Sequence, residues 1–352
     1  MPAASPDALI AYGWSARVAA LFHSAASGSD RPGRVIRVER GAAAVVDSAG
    51  AEALYPTVAT TAAATATAPA VGDWVVIAGR GLGAVLPRWS SLDRQDPDTG
   101  GVQTLAANVD VVLVTVPGDR PNVARTEREL LVAWESGARP VVVLTKADLA
   151  PEDLADELAG RLVGVDVLAT SAETGKGIAE VGALLPTGTT GVLLGPSGAG
   201  KSSLTNALLG EHRQAVAAVR ADDRRGRHTT TSRHLLRLPA GGVVIDTPGL
   251  RSVGVTSADR IDEAFPDIDG LAGDCRFADC AHRSEPGCAV TAAVAAGSLP
   301  GQRLASYHKL EREAAAERRR SDGAERLAAR RVWKQRSKDA RRLREQRERG
   351  ER

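Results

Sequence analysis

The run Gly195-Pro196-Ser197-Gly198-Ala199-Gly200-Lys201-Ser202 follows the pattern G-x-x-x-x-G-K-S, and Ser203 carries it into the segment that follows. Glycines at this spacing let successive backbone N–H groups curl around a phosphate chain. The lysine ammonium then reaches the β- and γ-phosphates, and the serine hydroxyl is a ligand for Mg²⁺. Asp246-Thr247-Pro248-Gly249 comes after the apolar run GGVVID. Its carboxylate is expected at a strand end, holding the metal through water, with the Gly249 N–H turned to the γ-phosphate.

A base reader is expected at Thr145-Lys146-Ala147-Asp148, which closes the run VVVLTKAD. Guanine presents N1–H and an exocyclic amino group side by side, and the Asp148 carboxylate can accept both. Adenine lacks that pair, and a buried acceptor left unpaired rejects it. Lys146 is expected along the ring face. In SAETGKG, Ser171 and Ala172 are expected to direct backbone N–H groups at the guanine oxygen. A lone Lys-x-Asp is usually only a helix or turn start; the phosphate motifs give it meaning. The implied ligands are GTP and GDP with Mg²⁺.

Arg225-Gly226-Arg227-His228-Thr229-Thr230-Thr231 is polar and contains glycine. That composition suits a switch segment in which Thr230 joins Ser202 and Asp246 around Mg²⁺ when the γ-phosphate is present. Leu250 stands where many GTPases carry a water-orienting Gln. His228 is the nearest replacement, with contact to phosphate or RNA an equal alternative for it. The expected catalytic set is therefore Lys201, Thr230 and His228.

All three cysteines fall between positions 275 and 288, as Cys275-x₄-Cys280-x-His282-x₅-Cys288. Three thiolates and an imidazole are the donor set of a closed tetrahedral Zn²⁺ site. Four protein ligands leave no open position, so one structural zinc is expected. This clustering also argues against a disulfide framework and for a reducing compartment.

The elements that must hold these groups change character along the chain. Residues 1–27 read as a helical lead-in, with Leu9, Gly13, Trp14 and Phe22 as packing points. The runs RVIRVE, AAAVVD, DWVVIAG and GAVLPR between Gly33 and Arg94 read as short strands of a small barrel, of the oligonucleotide-binding (OB) type or purely structural. From Asn108, apolar β-branched runs alternate with helical ones, the pattern of a parallel sheet covered on both faces with ligands at its carboxyl ends. The base motifs precede the phosphate motifs, the reverse of the ordinary order, so the domain is read as circularly permuted. The switch then leads straight into the C-terminal region.

At 352 residues, 43% hydrophobic and 25% charged, the chain is expected to fold as several units. No stretch approaches the ~18 apolar residues of a membrane span, and the start lacks the character of a secretory signal. A cytoplasmic protein is expected. Residues 311–352 hold 16 Lys/Arg against 9 Asp/Glu, a local +7 on a body of −5. Such a tail fits a polyanionic partner or a solvated, salt-bridged helix.

The permuted order, the GRHTTT segment and the cysteine–histidine cluster together resemble the bacterial RsgA (YjeQ) family of small-ribosomal-subunit-dependent GTPases. LIAYGW, GDWV, SSLDR and AANVD share that resemblance. It implies an α/β fold, with a circularly permuted P-loop GTPase domain (99–254) between an N-terminal OB-fold β-barrel (1–98) and a C-terminal helical zinc-binding domain (255–352). It further implies GTP hydrolysis stimulated by the small subunit during its late maturation, ribosomal RNA as the polyanion, and a monomer. The family's base motif usually begins with Asn. Thr145 stands there instead, and its hydroxyl is expected to supply only part of the amide's bonding. Two other readings stay open at this stage: an RNA-binding module with a non-hydrolysing switch, and a P-loop kinase or ATPase, which leaves TKAD without a role.

Overall fold

The computed structural model describes residues 7–39, 41–57, 67–95, 102–210, 233–246, 261–316 and 319. Two short helices, α1 (Asp7–Ile10) and α2 (Ala16–Ala25), lead in, and the Ser15 hydroxyl caps α2 by accepting from the Val18 N–H. Leu9 is fully buried, and Trp14 meets both Phe22 and Trp74 edge-on. The expected packing points are therefore genuine core.

Five antiparallel strands follow: β1 (Arg31–Glu39), β2 (Ala42–Asp47), β3 (Glu52–Pro56), β4 (Trp74–Ala78) and β5 (Gly81–Val85). β1 pairs with β2 on one edge and β4 on the other, while β5 comes back alongside β3. The β1–β2 register shifts between Val35 and Arg37, the irregularity of a bulge. The run GAVLPR forms strand only as far as Val85, and Pro87 closes it.

A separate hairpin of β6 (Ser91–Gln95) and β7 (Val102–Ala107) straddles the expected boundary at residues 98 and 99. The sheet that positions the site then begins. β8 (Val111–Pro117), α3 (Val123–Glu135), β9 (Arg139–Thr145), α4 (Leu154–Arg161), β10 (Val167–Ala169), α5 (Ile178–Ala183), β11 (Thr190–Leu194) and α6 (Lys201–Leu209) alternate as the sequence predicts. β12 (His234–Arg237) and β13 (Val243–Asp246) complete it. The strand order is β10-β9-β8-β11-β13-β12, parallel throughout except for β12. Every residue of β8 and β11 is buried, as a strand covered on both faces must be. β12 also touches β1 through Arg37 and His234, so the two strand systems run into one sheet.

Arg34 fixes that junction. It is 1% exposed, stacks over the Trp74 ring, and donates to the Tyr12 carbonyl (2.9 Å) and the Thr190 hydroxyl (3.0 Å). Burial lowers its guanidinium to about 10, opposed by the charges of Asp110 and Asp73, so it remains a cation at neutral pH.

The C-terminal region is helical: α7 (Ile261–Ala264), α8 (Pro266–Ala272), α9 (Ala289–Ala295) and α10 (301–316). Phe265, Ile268, Leu299 and Leu310 join the same apolar cluster as Leu130 and Val142 of the sheet domain. Among the described residues no helix is long and apolar enough to cross a membrane.

Candidate functional site

β11 lies between β8 and β13, and the phosphate-loop run begins where it ends. Its first residue, Gly195, has φ 148, and a Cβ there would lie 2.1 Å from the Thr115 hydroxyl, so only glycine fits. Thr115 is occupied in turn, donating to the Leu194 carbonyl at 3.0 Å. Gly200, also at positive φ, opens α6, so the helix N-terminus faces the loop. The Lys201 ammonium donates to the carbonyls of Gly195 (2.7 Å) and Pro196 (2.6 Å), folded back over the loop it serves. Ser202 and Ser203 are exposed in the first turn of α6. Asp246 ends β13, one residue beyond the Val192–Ile245 pair, so it emerges beside the strand that carries the loop.

The base motif converges on the same place from the end of β9. A cavity of about 540 Å³ is lined by Thr145, Lys146, Asp148, Ala172, Gly200 and Ser203, among others. Thr145 joins the two loops directly, its hydroxyl lying 2.6 Å from the Ala199 carbonyl. The link expected of an Asn side chain is therefore present with Thr. Lys146 sits in the left-handed region (φ 54), followed by a 3₁₀ turn over Ala147–Leu149. The Ala147 N–H donates to the Thr170 carbonyl, binding this turn to the next loop. Asp148 is exposed and lines the cavity.

Ser171 departs from expectation. It is fully buried, its N–H donates to the Lys176 carbonyl at 2.9 Å, and its hydroxyl accepts from the Thr174 N–H. Its amide is thus spent on shaping the loop, and exposed Ala172 is the residue presented to the cavity.

The four metal-ligand candidates come together, with all their donor atoms within 4.8 Å of one another. Cys275 Sγ lies 3.6 Å from His282 Nδ1 and 3.9 Å from Cys288 Sγ, and Cys288 Sγ lies 3.5 Å from that nitrogen. A tetrahedral ion with bonds of about 2.3 Å to sulfur and about 2.0 Å to nitrogen needs ligand atoms about 3.5–3.8 Å apart. The cluster fits Zn²⁺. Burial opposes the Cys288 thiolate, but donors from Thr291, His282 and Cys280 outweigh it and bring the thiol down to about 6.

Two supports of this loop are not readable from spacing. Glu285 accepts the N–H groups of Ala281, Arg283 and Ser284, and these amides, Arg283 foremost, hold its carboxyl at about 2. His308 of α10 reaches back to the His282 carbonyl at 3.0 Å. A third unforeseen cluster is Arg303, which donates to Glu127 of α3 (3.1 Å), to Asp267 and to the Ala264 carbonyl. Its only sequence signal is a charged residue inside an apolar helical face. His228, Thr230, Gly249 and Leu250, with the rest of RGRHTTT, lie outside the described residues, as does the tail from 320.

The model of the RsgA GTPase family matches residues 85–256. The small ribosomal subunit biogenesis GTPase RsgA of Streptomyces coelicolor is 46% identical over 346 residues, 94% of this chain and 93% of the relative. Its namesake from Opitutus terrae is 42% identical over 93% of this chain and 95% of its own. Among solved structures, YjeQ from Thermotoga maritima superimposes with a TM-score of 0.60 at 27% identity, over 80% of this chain and 97% of YjeQ. YloQ, described as a circularly permuted GTPase, gives 0.61 at 25% identity, over 82% and 96%. With the base loop preceding the phosphate loop in one sheet, and these likenesses spanning nearly the whole length, the chain belongs to the RsgA GTPase family and is a GTP hydrolase.

Proposed function

We propose that this GTPase binds the small ribosomal subunit and acts late in its maturation, hydrolysing GTP to GDP and phosphate faster when the subunit is bound. The observation that best supports the nucleotide part of this reading is the Thr145–Ala199 contact, which joins the TKAD turn to the GPSGAGKS loop beside one cavity lined by both. The names of the relatives supply the partner.

Asp148 takes the two guanine donors, the Lys146 stem lies along the ring, and the Ala172 N–H meets the guanine oxygen. Gly195–Ser203 wraps the phosphates, with Lys201 neutralising charge on the β- and γ-oxygens. Ser202, Asp246 through water, and Thr230 would hold Mg²⁺, which stabilises the charge that develops as the phosphoryl group transfers. Cys275, Cys280, His282 and Cys288 would hold one structural Zn²⁺. The OB-type barrel is assigned to residues 1–98, which hold β1–β5, the GTPase domain to 99–254, and the zinc domain to 255–352. Ribosomal RNA is the polyanion that the basic tail meets, and the protein works as a cytoplasmic monomer.

Leu250 cannot orient a nucleophile, so slow turnover by the isolated protein follows. Subunit binding brings His228 to the attacking water, and one positioned group is worth ~10³–10⁵ in related systems. His228→Ala is therefore expected to keep GTP affinity and lose most of the stimulated rate. Full stimulation of that variant would exclude His228 and point to a group supplied by the ribosome.

A further inference from the structure

Lys146 is placed by more than its own motif. Asp119, in the turn that leaves β8, offers its carboxylate to the Lys146 ammonium, with Nζ 3.1 Å from Oδ2 and 3.3 Å from Oδ1. The two turns are locked together by backbone. The Gly118 N–H donates to the Thr145 carbonyl at 2.8 Å, and a Cβ on Gly118 would stand 2.9 Å from the Lys146 carbonyl and 2.8 Å from Ala150. Asp119 thus cannot drift from the base loop. Its other cationic neighbour, Arg120, is 3.7 Å from the same carboxylate and 78% exposed, so Lys146 is the closer partner.

A lysine stem is long and free, and a ligand that needs it flat along a ring must pay in lost rotamers. Lys146 starts from a left-handed backbone at the end of β9, and an anchor at the ammonium fixes the other end of its side chain. We propose that Asp119 is a positioning residue for guanine-nucleotide binding, holding the Lys146 stem across the base-binding cavity before the nucleotide arrives. The inference rests on the reading that Lys146 lies along the guanine ring. Because the base is common to both nucleotides, Asp119 strengthens GTP and GDP binding equally, raising affinity without touching the chemical step. The Lys146 charge in turn draws the Asp119 carboxyl below its ordinary range, chiefly through their hydrogen bond.

The test is a double-mutant cycle on the full-length protein, read by titration with fluorescent GTP and GDP analogues and by steady-state hydrolysis of GTP. Asp119→Ala is expected to weaken both nucleotides by the same factor, roughly two- to fivefold, as for an exposed ion pair. KM rises by that factor and kcat holds. Asp119→Asn, which keeps a hydrogen-bond acceptor but not the charge, falls between, and the wild-type advantage shrinks as salt is added. In a Lys146→Met background, which retains the stem and lacks the ammonium, Asp119→Ala has no further effect. Wild-type affinity in Asp119→Ala, with Lys146→Met weakened, would overturn the positioning role and leave the base reading intact. Equal losses in both backgrounds would show that Asp119 acts without Lys146, which also overturns it. Lys146→Met at full affinity would show that the ammonium anchor adds nothing and overturn the inference, whereas Lys146→Ala at full affinity would remove the reading that the stem lies along the ring.

Discussion

A threonine opens the base-reading motif, and its hydroxyl makes the bond to the phosphate loop for which an amide is the usual choice. Thr145→Val keeps the shape and removes the hydroxyl, leaving the buried Ala199 carbonyl without that partner at a cost of about 1–3 kcal/mol. Nucleotide affinity is expected to fall by about tenfold, measured by titration, and Thr145→Asn should restore it. Base choice is assigned to Asp148 in this proposal, and Asp148→Asn should move preference from guanosine toward xanthosine nucleotides; an unchanged GTP preference would remove the assignment. Near the metal cluster, Glu285→Ala frees three backbone donors. Metal retention against a competing chelator is expected to drop by roughly 10–100-fold, as when other partners that orient ligands are lost. That TKAD would meet GPSGAGKS, and the three cysteines His282, was legible in the sequence because phosphate, guanine and zinc each demand specific atoms at short spacing. The packing of Ser171 and the pairing of Asp119 and Glu285 were not, since they depend on which backbone amides turn inward and which side chains meet across loops, and spacing does not encode that.

The helices and buried strands of the central sheet follow from sequence because their apolar periodicity is imposed by burial on both faces. β3, β6, β7 and β12 carried no such signal. β3 is mostly exposed, β6 is the polar run SLDRQ with a register shift at Leu92, and β12 has four residues. At this scale the C-terminal helices owe their place to two devices. The cluster of Cys275, Cys280, His282 and Cys288 brings the 275–288 loop to the start of α9, and under the proposed zinc site Cys280→Ser is expected to lose metal and unfold this region locally, seen as loss of one zinc equivalent and early proteolysis there. Arg303 pins α10 to α3 and α8, with its side chain 5% and that of Glu127 4% exposed. Removing one partner of a buried pair typically costs about 3–5 kcal/mol. Arg303→Ala should therefore lower stability by that order in denaturant unfolding, and Glu127→Gln in the same background should recover part of it by neutralising the stranded carboxylate.

Across the molecule, the permutation places β8, β9 and β10 before β11, yet in space the phosphate-loop strand still lies between β8 and β13. Motif order alone exposed this arrangement. The joint between the strand systems, where Arg34 spans from Tyr12 to Thr190, could not be foreseen, because a lone arginine in a strand reads as an exposed charge. The permutation also means that in sequence the segment after Asp246 leads into the C-terminal helices rather than back into the sheet. The central claim is that this site hydrolyses GTP in response to the small ribosomal subunit. Phosphate release should be measured from saturating GTP and, in parallel, ATP, with the full-length protein alone and with purified small subunits. Slow GTP turnover alone, strong acceleration by subunits and no ATP turnover are expected; a GTP rate unmoved by subunits, or ATP hydrolysed as readily, would contradict the account.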